Sequence, residues 1–215
     1  MLLAIDTSAG TSVAVVDRDA GVLSERSSAD TRGHAEIVGT LIAEALAEAG
    51  VAVTALSGVA VGMGPGPFTG LRVGIAAAFA FAFGAGKPTV TVVSHDAIAF
   101  GLYTPDAAGA AETRPTLIVT DARRREVYWS AYSGLDAEGL PVRVAGPALC
   151  KPHELADEVP DFAAYTRVDV EKVSAASVGL LAEGLYVHKR AFAGGEALYL
   201  RSPDAKPGGA PKRVS

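Results

Sequence analysis

MLLAIDTSAGTSVAVVDRDAGVLSERSS, residues 1–28, is the stretch on which the fold turns. It holds three short β-type runs, Leu2 to Asp6, Thr11 to Asp17 and Val22 to Ser28. Ser8-Ala9-Gly10 and Asp19-Ala20-Gly21 separate them, and such clusters of small and turn-forming residues predict a β-meander. Outward from it, helical spacing predicts a helix from about His34 to Ala49, ended by Gly50. A strand (Val59 to Met63), a glycine-rich loop, an apolar helix (about Thr69 to Gly84) and a strand (Thr89 to Val93) follow. A meander followed by alternating helices and strands predicts an α/β lobe with a mixed sheet covered by helices.

The second half repeats this opening in pattern. Leu117 to Thr120 reads as a strand ending at Asp121, just as the first strand ends at Asp6, and Val127 to Tyr132 and Val142 to Leu149 supply two more. A short helix is expected near His153 to Glu158 and a longer one from about Ala175 to Arg190. The predicted organisation is an N-terminal lobe over 1–102, a smaller C-terminal lobe over 103–201 and a disordered Pro-, Gly- and Lys-rich tail over 202–215.

Composition narrows the function classes. The longest uncharged apolar run, Val73 to Gly86, is short for a ~30 Å bilayer core, so no membrane role is expected. The first residues reach a carboxylate at Asp6 without a basic leader, which predicts a cytoplasmic chain. A single cysteine, Cys150, excludes an internal disulfide and reads as a buried small hydrophobe. A net charge of −5 argues against this chain alone holding a polyanion.

The run Gly62-Met63-Gly64-Pro65-Gly66-Pro67-Phe68-Thr69-Gly70-Leu71-Arg72-Val73-Gly74 is the most specific in the chain. Its glycines and prolines suit a rigid strand-to-helix corner, with Thr69 placed to cap the helix. Loop amides at a helix start also suit an anion. It is not a Walker loop, because no Lys-Ser/Thr pair follows the glycines. Asp6, Thr7, Ser8 and Ser12 read either as contacts to a phosphate or hydrated Mg²⁺, or as a turn bonding its own backbone. Arg123-Arg124-Arg125 reads as a solvated hairpin tip, or as a contact to nucleic-acid phosphates or to an acidic partner surface. No Gly-x-Ser-x-Gly elbow or other nucleophile with a base is visible.

Three segments carry a family resemblance. Asp6-Thr7-Ser8 with Ser12-Val13-Ala14-Val15, the GPGPFTGLRVG run from Gly64 to Gly74, and Asp121-Ala122-Arg123 with Glu126-Val127-Tyr128 are similar, in the same order, to the signatures of the TsaB (YeaZ) family. The resemblance implies an actin-like ATPase (ribonuclease H-like) fold of two β-β-β-α lobes with mixed sheets. It implies a non-catalytic subunit in the synthesis of N6-threonylcarbamoyladenosine in tRNA, binding TsaD and, through it, TsaE. tRNA is then reached only through the complex, a homodimer forms in isolation, and there is no resident cofactor beyond weak ATP/ADP-Mg²⁺ binding in a complex. The catalytic paralogue TsaD carries a His-x-x-x-His metal pair where this chain has His95 and Ala99, so neither a metal nor a catalytic residue is expected. His95 then reads as a partly exposed helix-start residue. After Gly194-Gly195 the adenine-supporting Asn of nucleotide-binding relatives is missing. The rival readings are a stand-alone actin-like ATPase or phosphotransferase, and a peptidase.

The second helix carries a partner expectation of its own. At about 100° per residue, Gly74, Ala77, Ala78 and Phe81 share one face, and Arg72, Ala76, Phe79 and Phe83 share the other. Aromatics on an outward face need a cover. The first helix adds Ile37 and Leu41 to an apolar arc wider than a sheet requires. The alternative is that the two helices cover each other. The resemblance implies that this helix pair docks both a second copy and TsaD.

Overall fold

The computed structural model describes residues 1–28, 33–104 and 112–201; the tail expected over 202–215 lies outside the described residues. β1 (Leu2–Asp6), β2 (Thr11–Asp17) and β3 (Gly21–Ser28) form the antiparallel meander. α1 (His34–Ala49) leads to β4 (Gly58–Gly62), which pairs parallel with β1. α2 (Phe68–Ala85) leads to β5 (Thr89–Val92), parallel to β4, and α3 (Ser94–Tyr103) crosses to the second half. There β6 (Thr116–Asp121), β7 (Val127–Leu135) and β8 (Pro141–Cys150) form a second meander. The four-residue α4 (Leu155–Glu158), β9 (Thr166–Val170) and α5 (Ala175–Val187) follow. The sheet orders are β3-β2-β1-β4-β5 and β8-β7-β6-β9, with β9 parallel to β6 as β4 is to β1. Two such meanders, each extended by a parallel strand, make the actin-like ATPase (ribonuclease H-like) arrangement.

Side-chain size decides how the first sheet is covered. Leu3, Ile5, Val13 and Val15 project from one face into a core completed by α1 and α2. The other face presents small groups, Ala4, Ala14 and Ala60, and packs on α5, which α3 backs. Gly179 of α5 lies so close there that an added Cβ would sit 3.1 Å from the Ala4 Cβ and 2.6 Å from a Val16 methyl. Ile118 and Tyr132 of the second sheet enter the same core, so the two halves share buried apolar surface. α5 follows the second sheet in the chain yet packs on β1, β2 and β4.

Several expectations are corrected here. α3 and β9 extend the predicted element order: α3 lacks a side-chain cap, and β9 (TRVDV) carries Arg167 and Asp169 on its exposed positions. α2 starts at Phe68 with Pro67 at its N-cap, so Thr69 is not the cap. α2 has 18 residues and is apolar enough to cross a membrane by length and composition alone. It packs against β1, β4, β5 and α1 and buries Gly70, Leu71, Gly74, Ala78 and Ala82. The uncharged run looked short in the sequence because Arg72 interrupts it in the first turns.

Candidate functional site

The end of β1 and the glycine-rich loop are fitted to each other. Asp6 is 1% exposed, and its carboxylate accepts from the Ser8 amide (2.7 Å), the Ser8 hydroxyl (2.5 Å) and the Ser94 hydroxyl (2.6 Å). Ser94 in turn accepts from the Gly64 amide at 3.0 Å. Thr7 Oγ1 donates to the Gly70 carbonyl (2.7 Å) and accepts from the Gly74 amide (3.1 Å), tying β1 to α2. The glycines are required by proximity. A Cβ on Gly62 would stand 1.8 Å from an Asp6 carboxylate oxygen, and one on Gly66 2.8 Å from the Ser8 Cα. Ser12 donates to Glu25 (2.9 Å) and accepts from the Ala175 amide (3.1 Å), anchoring the start of α5. The four residues considered for a phosphate, Asp6, Thr7, Ser8 and Ser12, therefore all spend their side chains on bonds inside the fold. Their geometry is that of a turn and corner.

Burial raises the Asp6 pKa, with the hydrogen bonds from Ser8 and Ser94 opposing the shift. A carboxyl raised in the fold contributes stability that is fully present below its unfolded value and is lost as pH rises through the folded value. The stability of the wild type relative to Asp6→Asn is thus expected to increase as pH falls from neutrality towards 4. Paired denaturant titrations across pH 4–7 measure it; a constant difference, or one that shrinks on acidification, would contradict the shift.

A cleft of about 450 Å³ opens between the halves. Thr7, Ser8, His34, Pro67 and Thr69 line one wall, and Thr120, Asp121, Arg123, Asp169 and Glu171 line the other. Three carboxylates against one guanidinium oppose a polyphosphate in this space. Two imidazoles bonded to hydroxyls lie at or just behind its walls. Thr11 Oγ1 lies 2.6 Å from His34 Nδ1, but Thr11 is fully buried and out of a substrate's reach. Thr120 lies 2.9 Å from His95 Nε2, and Ser130 lies 2.8 Å from His95 Nδ1. Burial, with a smaller contribution from the Arg143 charge, pulls the His95 pKa down to about 3, too low for a base that must take a proton from a hydroxyl. His95 is 0% exposed, which corrects the expectation of a partly exposed ring, and both its nitrogens are engaged by hydroxyls. The helix around it is sandwiched between α5 and the second sheet, a contact that the local sequence does not announce.

On the second half, the β6–β7 connection is unusual. Arg123, Arg124 and Arg125 have φ values of 64°, 52° and 64°. Left-handed backbone costs a non-glycine residue roughly 1–2 kcal/mol, so the turn must be held from outside. Asp121 accepts from the Arg123 amide at 2.8 Å, and Arg201 supplies the rest. The Arg201 guanidinium donates to the Ala122 carbonyl (3.1 Å) and the Arg123 carbonyl (3.4 Å), and it pairs with Glu126. Arg201 lies on a strap that crosses the first half. The Ala193 amide donates to the Thr91 carbonyl, the Leu198 amide donates to the Met63 carbonyl, and Tyr199 packs on Phe68 with centroids 4.8 Å apart. Sequence reasoning missed Arg201, which appeared there only as the residue before the tail.

The six residues expected at a partner surface divide between two environments. Arg72 and Ala76 are exposed, with the Arg72 guanidinium 4.0 Å over the Phe68 ring. Phe79 is 42% exposed and Phe83 91%. Ile37 and Leu41 are half-buried, and Leu41 packs on the core beneath α1 and α2. Phe81, on the other face of α2, packs on that same core.

The family described as TsaD: tRNA N6-adenosine threonylcarbamoyltransferase matches residues 11–186. An uncharacterised protein of Mycobacterium tuberculosis is 40% identical over 210 residues, covering 96% of this chain and 94% of the relative. Among solved structures, YeaZ from Pseudomonas aeruginosa is 25% identical with a TM-score of 0.71, over 87% of this chain and 92% of that one. A further Pseudomonas aeruginosa structure, of an uncharacterised protein with similarity to peptidase YeaZ, has a TM-score of 0.74 at 24% identity. It covers 93% of this chain and 99% of its own, a likeness of fold.

Proposed function

The chain belongs to the TsaB (YeaZ) family, and on that premise we propose that it is a non-catalytic scaffold and activator in the synthesis of N6-threonylcarbamoyladenosine in tRNA. Its partner is a TsaD-type transferase, joined through the outer face of α2, and through that pair a TsaE-type ATPase. In the absence of the transferase the same face pairs two copies of this chain in the cytoplasm. Most of the affinity for tRNA resides in the partner. The observation that carries this reading is the exposure of Phe79 and Phe83 on a helix whose opposite face packs on the sheet and on α1.

The cleft supports an activating over a catalytic role. Its carboxylates oppose a polyphosphate, the Asp6 carboxyl is enclosed, and the imidazole nearest its hydroxyls is a weak base. Reconstitution is the test. A TsaD-type transferase, a TsaE-type ATPase, threonylcarbamoyl-adenylate and tRNA are assayed with and without this chain. Modification is expected to depend on the chain, and the chain alone is expected to be inactive. Full-rate modification without it, or tRNA modification by it alone, would overturn the proposal.

A further inference from the structure

A second pocket, of about 170 Å³, lies between α3, α5 and the start of β8 and shares no lining residue with the cleft. Asp96 of α3 and Arg143 of β8 meet there beside an apolar wall of Val92, Leu140, Leu181 and Leu185. The start of the strap borders it, held in place by the Thr91 hydroxyl, which donates to the Ala193 carbonyl at 2.5 Å.

The bonding capacity of the two charged groups is only partly used. Tyr132 donates to Asp96 Oδ1 at 2.7 Å, and Arg143 Nε pairs with the same oxygen at 3.4 Å. Among the described residues nothing pairs with Asp96 Oδ2, and Arg143 Nη1 is buried without a hydrogen-bond partner. An ion pair withdrawn from water is favourable only when its remaining donors and acceptors are also met. The pair therefore calls for an acceptor at Arg143 and a donor at Asp96. One water would meet Nη1, but at roughly 30 Å³ each the pocket takes about six, most of them against the apolar wall.

The surrounding charges exclude a plain anion. Arg190 also borders the pocket, but its guanidinium pairs with Asp136 at 3.1 Å and with Glu138 at 3.6 Å. Two guanidiniums, Arg143 and Arg190, thus stand with three carboxylates, Asp96, Asp136 and Glu138, and the neighbouring His95 is held neutral by its burial. A lone anion gains nothing from that balance, whereas a ligand with an anionic and a cationic end gains at both. The two ends must sit close together, because the groups that receive them belong to one ion pair. The volume, below the ~300 Å³ at which sites for drug-sized ligands begin, limits the remainder to a short apolar group.

We propose that this pocket binds a short aliphatic α-amino acid, its carboxylate accepting from Arg143, its ammonium donating to Asp96 and its side chain lying against Leu140, Leu181 and Leu185. The site goes beyond the scaffold reading and does not rest on it.

Valine is the probe, titrated into the full chain by calorimetry and followed by methyl NMR. Saturable binding is expected, with shifts at Leu140 and Leu185. Isovalerate, which lacks the ammonium, and isobutylamine, which lacks the carboxylate, are each expected to bind about tenfold more weakly or worse, as is valine to Arg143→Gln and to Asp96→Asn. Leu185→Phe fills the pocket from a half-buried position and is expected to block valine while the unliganded chain melts near the wild type, so the outcome does not depend on how well the polar variants fold. Absence of saturable binding by the wild type overturns the proposal. So does isovalerate binding as tightly as valine, which would mark a simple anion site, and so do undiminished binding by Leu185→Phe and shifts confined to the cleft around Thr120.

Discussion

Phe83→Ala and Phe79→Ala are expected to abolish or strongly weaken association with the TsaD-type partner while leaving the chain folded. A hot-spot aromatic at the centre of an interface costs on the order of 2 kcal/mol or more when truncated, a loss of about thirtyfold in affinity. Phe83 is 91% exposed in the isolated chain and therefore contributes little to its fold; Phe79, at 42%, contributes somewhat more. Phe81 is the internal control, two residues from each along the helix and so on the opposite face, packed on the core with Leu41 and Ile75. Phe81→Ala should reduce stability by roughly 2–4 kcal/mol, towards the range for large-to-small core substitutions, and should affect binding only through that loss. Sedimentation or calorimetric binding, together with denaturant midpoints, separates the two effects. The reverse pattern, stability lost at Phe83 and binding lost directly at Phe81, would refute the assignment of faces.

Gly74→Ala is expected to destabilise the fold by roughly 3 kcal/mol or more, at the upper end for overpacking. Helix propensity alone points the other way, since Ala is better than Gly in a helix interior by about 1 kcal/mol. The environment of Gly74 reverses the sign. A Cβ there would sit 2.1 Å from Thr7 Oγ1 and 2.8 Å from Thr7 Cγ2. Thr7 cannot swing away without losing its bond to the Gly70 carbonyl and the one it accepts from the Gly74 amide. Gly84→Ala, on the same helix, meets nothing within 4 Å and should stabilise slightly. Thermal melts of the two variants are the measurement. A neutral Gly74→Ala would show that the junction of β1 and α2 is looser than its contacts indicate.

Local signals account for what the sequence revealed. The boundaries of β1 and β2 follow from turn residues beside them, and α1 ends at Gly50, whose φ of 63° needs the residue that is there. Long-range contacts account for what it concealed. Asp6 and Asp121 each end the first strand of a meander and look equivalent in sequence, yet one is buried and the other exposed. The difference is made by Ser94, 88 positions from Asp6, and by the loop glycines that close over it. His95 was legible as a position without its i+4 partner. Its burial was not, because the hydroxyls of Thr120 and Ser130 that receive it come from the other half. Arg201 gave no signal of its own, since two of its partners are backbone carbonyls, which carry no side-chain identity, and the third, Glu126, lies 75 positions away.

The return of α5 to the first sheet has a consequence for how the chain acquires its structure. The small-residue face of β1, β2 and β4 is covered by a helix that begins at Ala175, whose amide bonds Ser12 across 163 positions. During synthesis the first half therefore leaves the ribosome with one face of its sheet open, and closing it requires a long loop whose entropy cost precedes any reward. Until residues beyond about 187 have emerged, Ala4, Ala14, Val16 and Ala60 remain an uncovered apolar surface and a target for chaperones or aggregation. The lobes visible in the folded molecule are thus not units of folding: a cut near residue 102 would separate the first sheet from half of its cover.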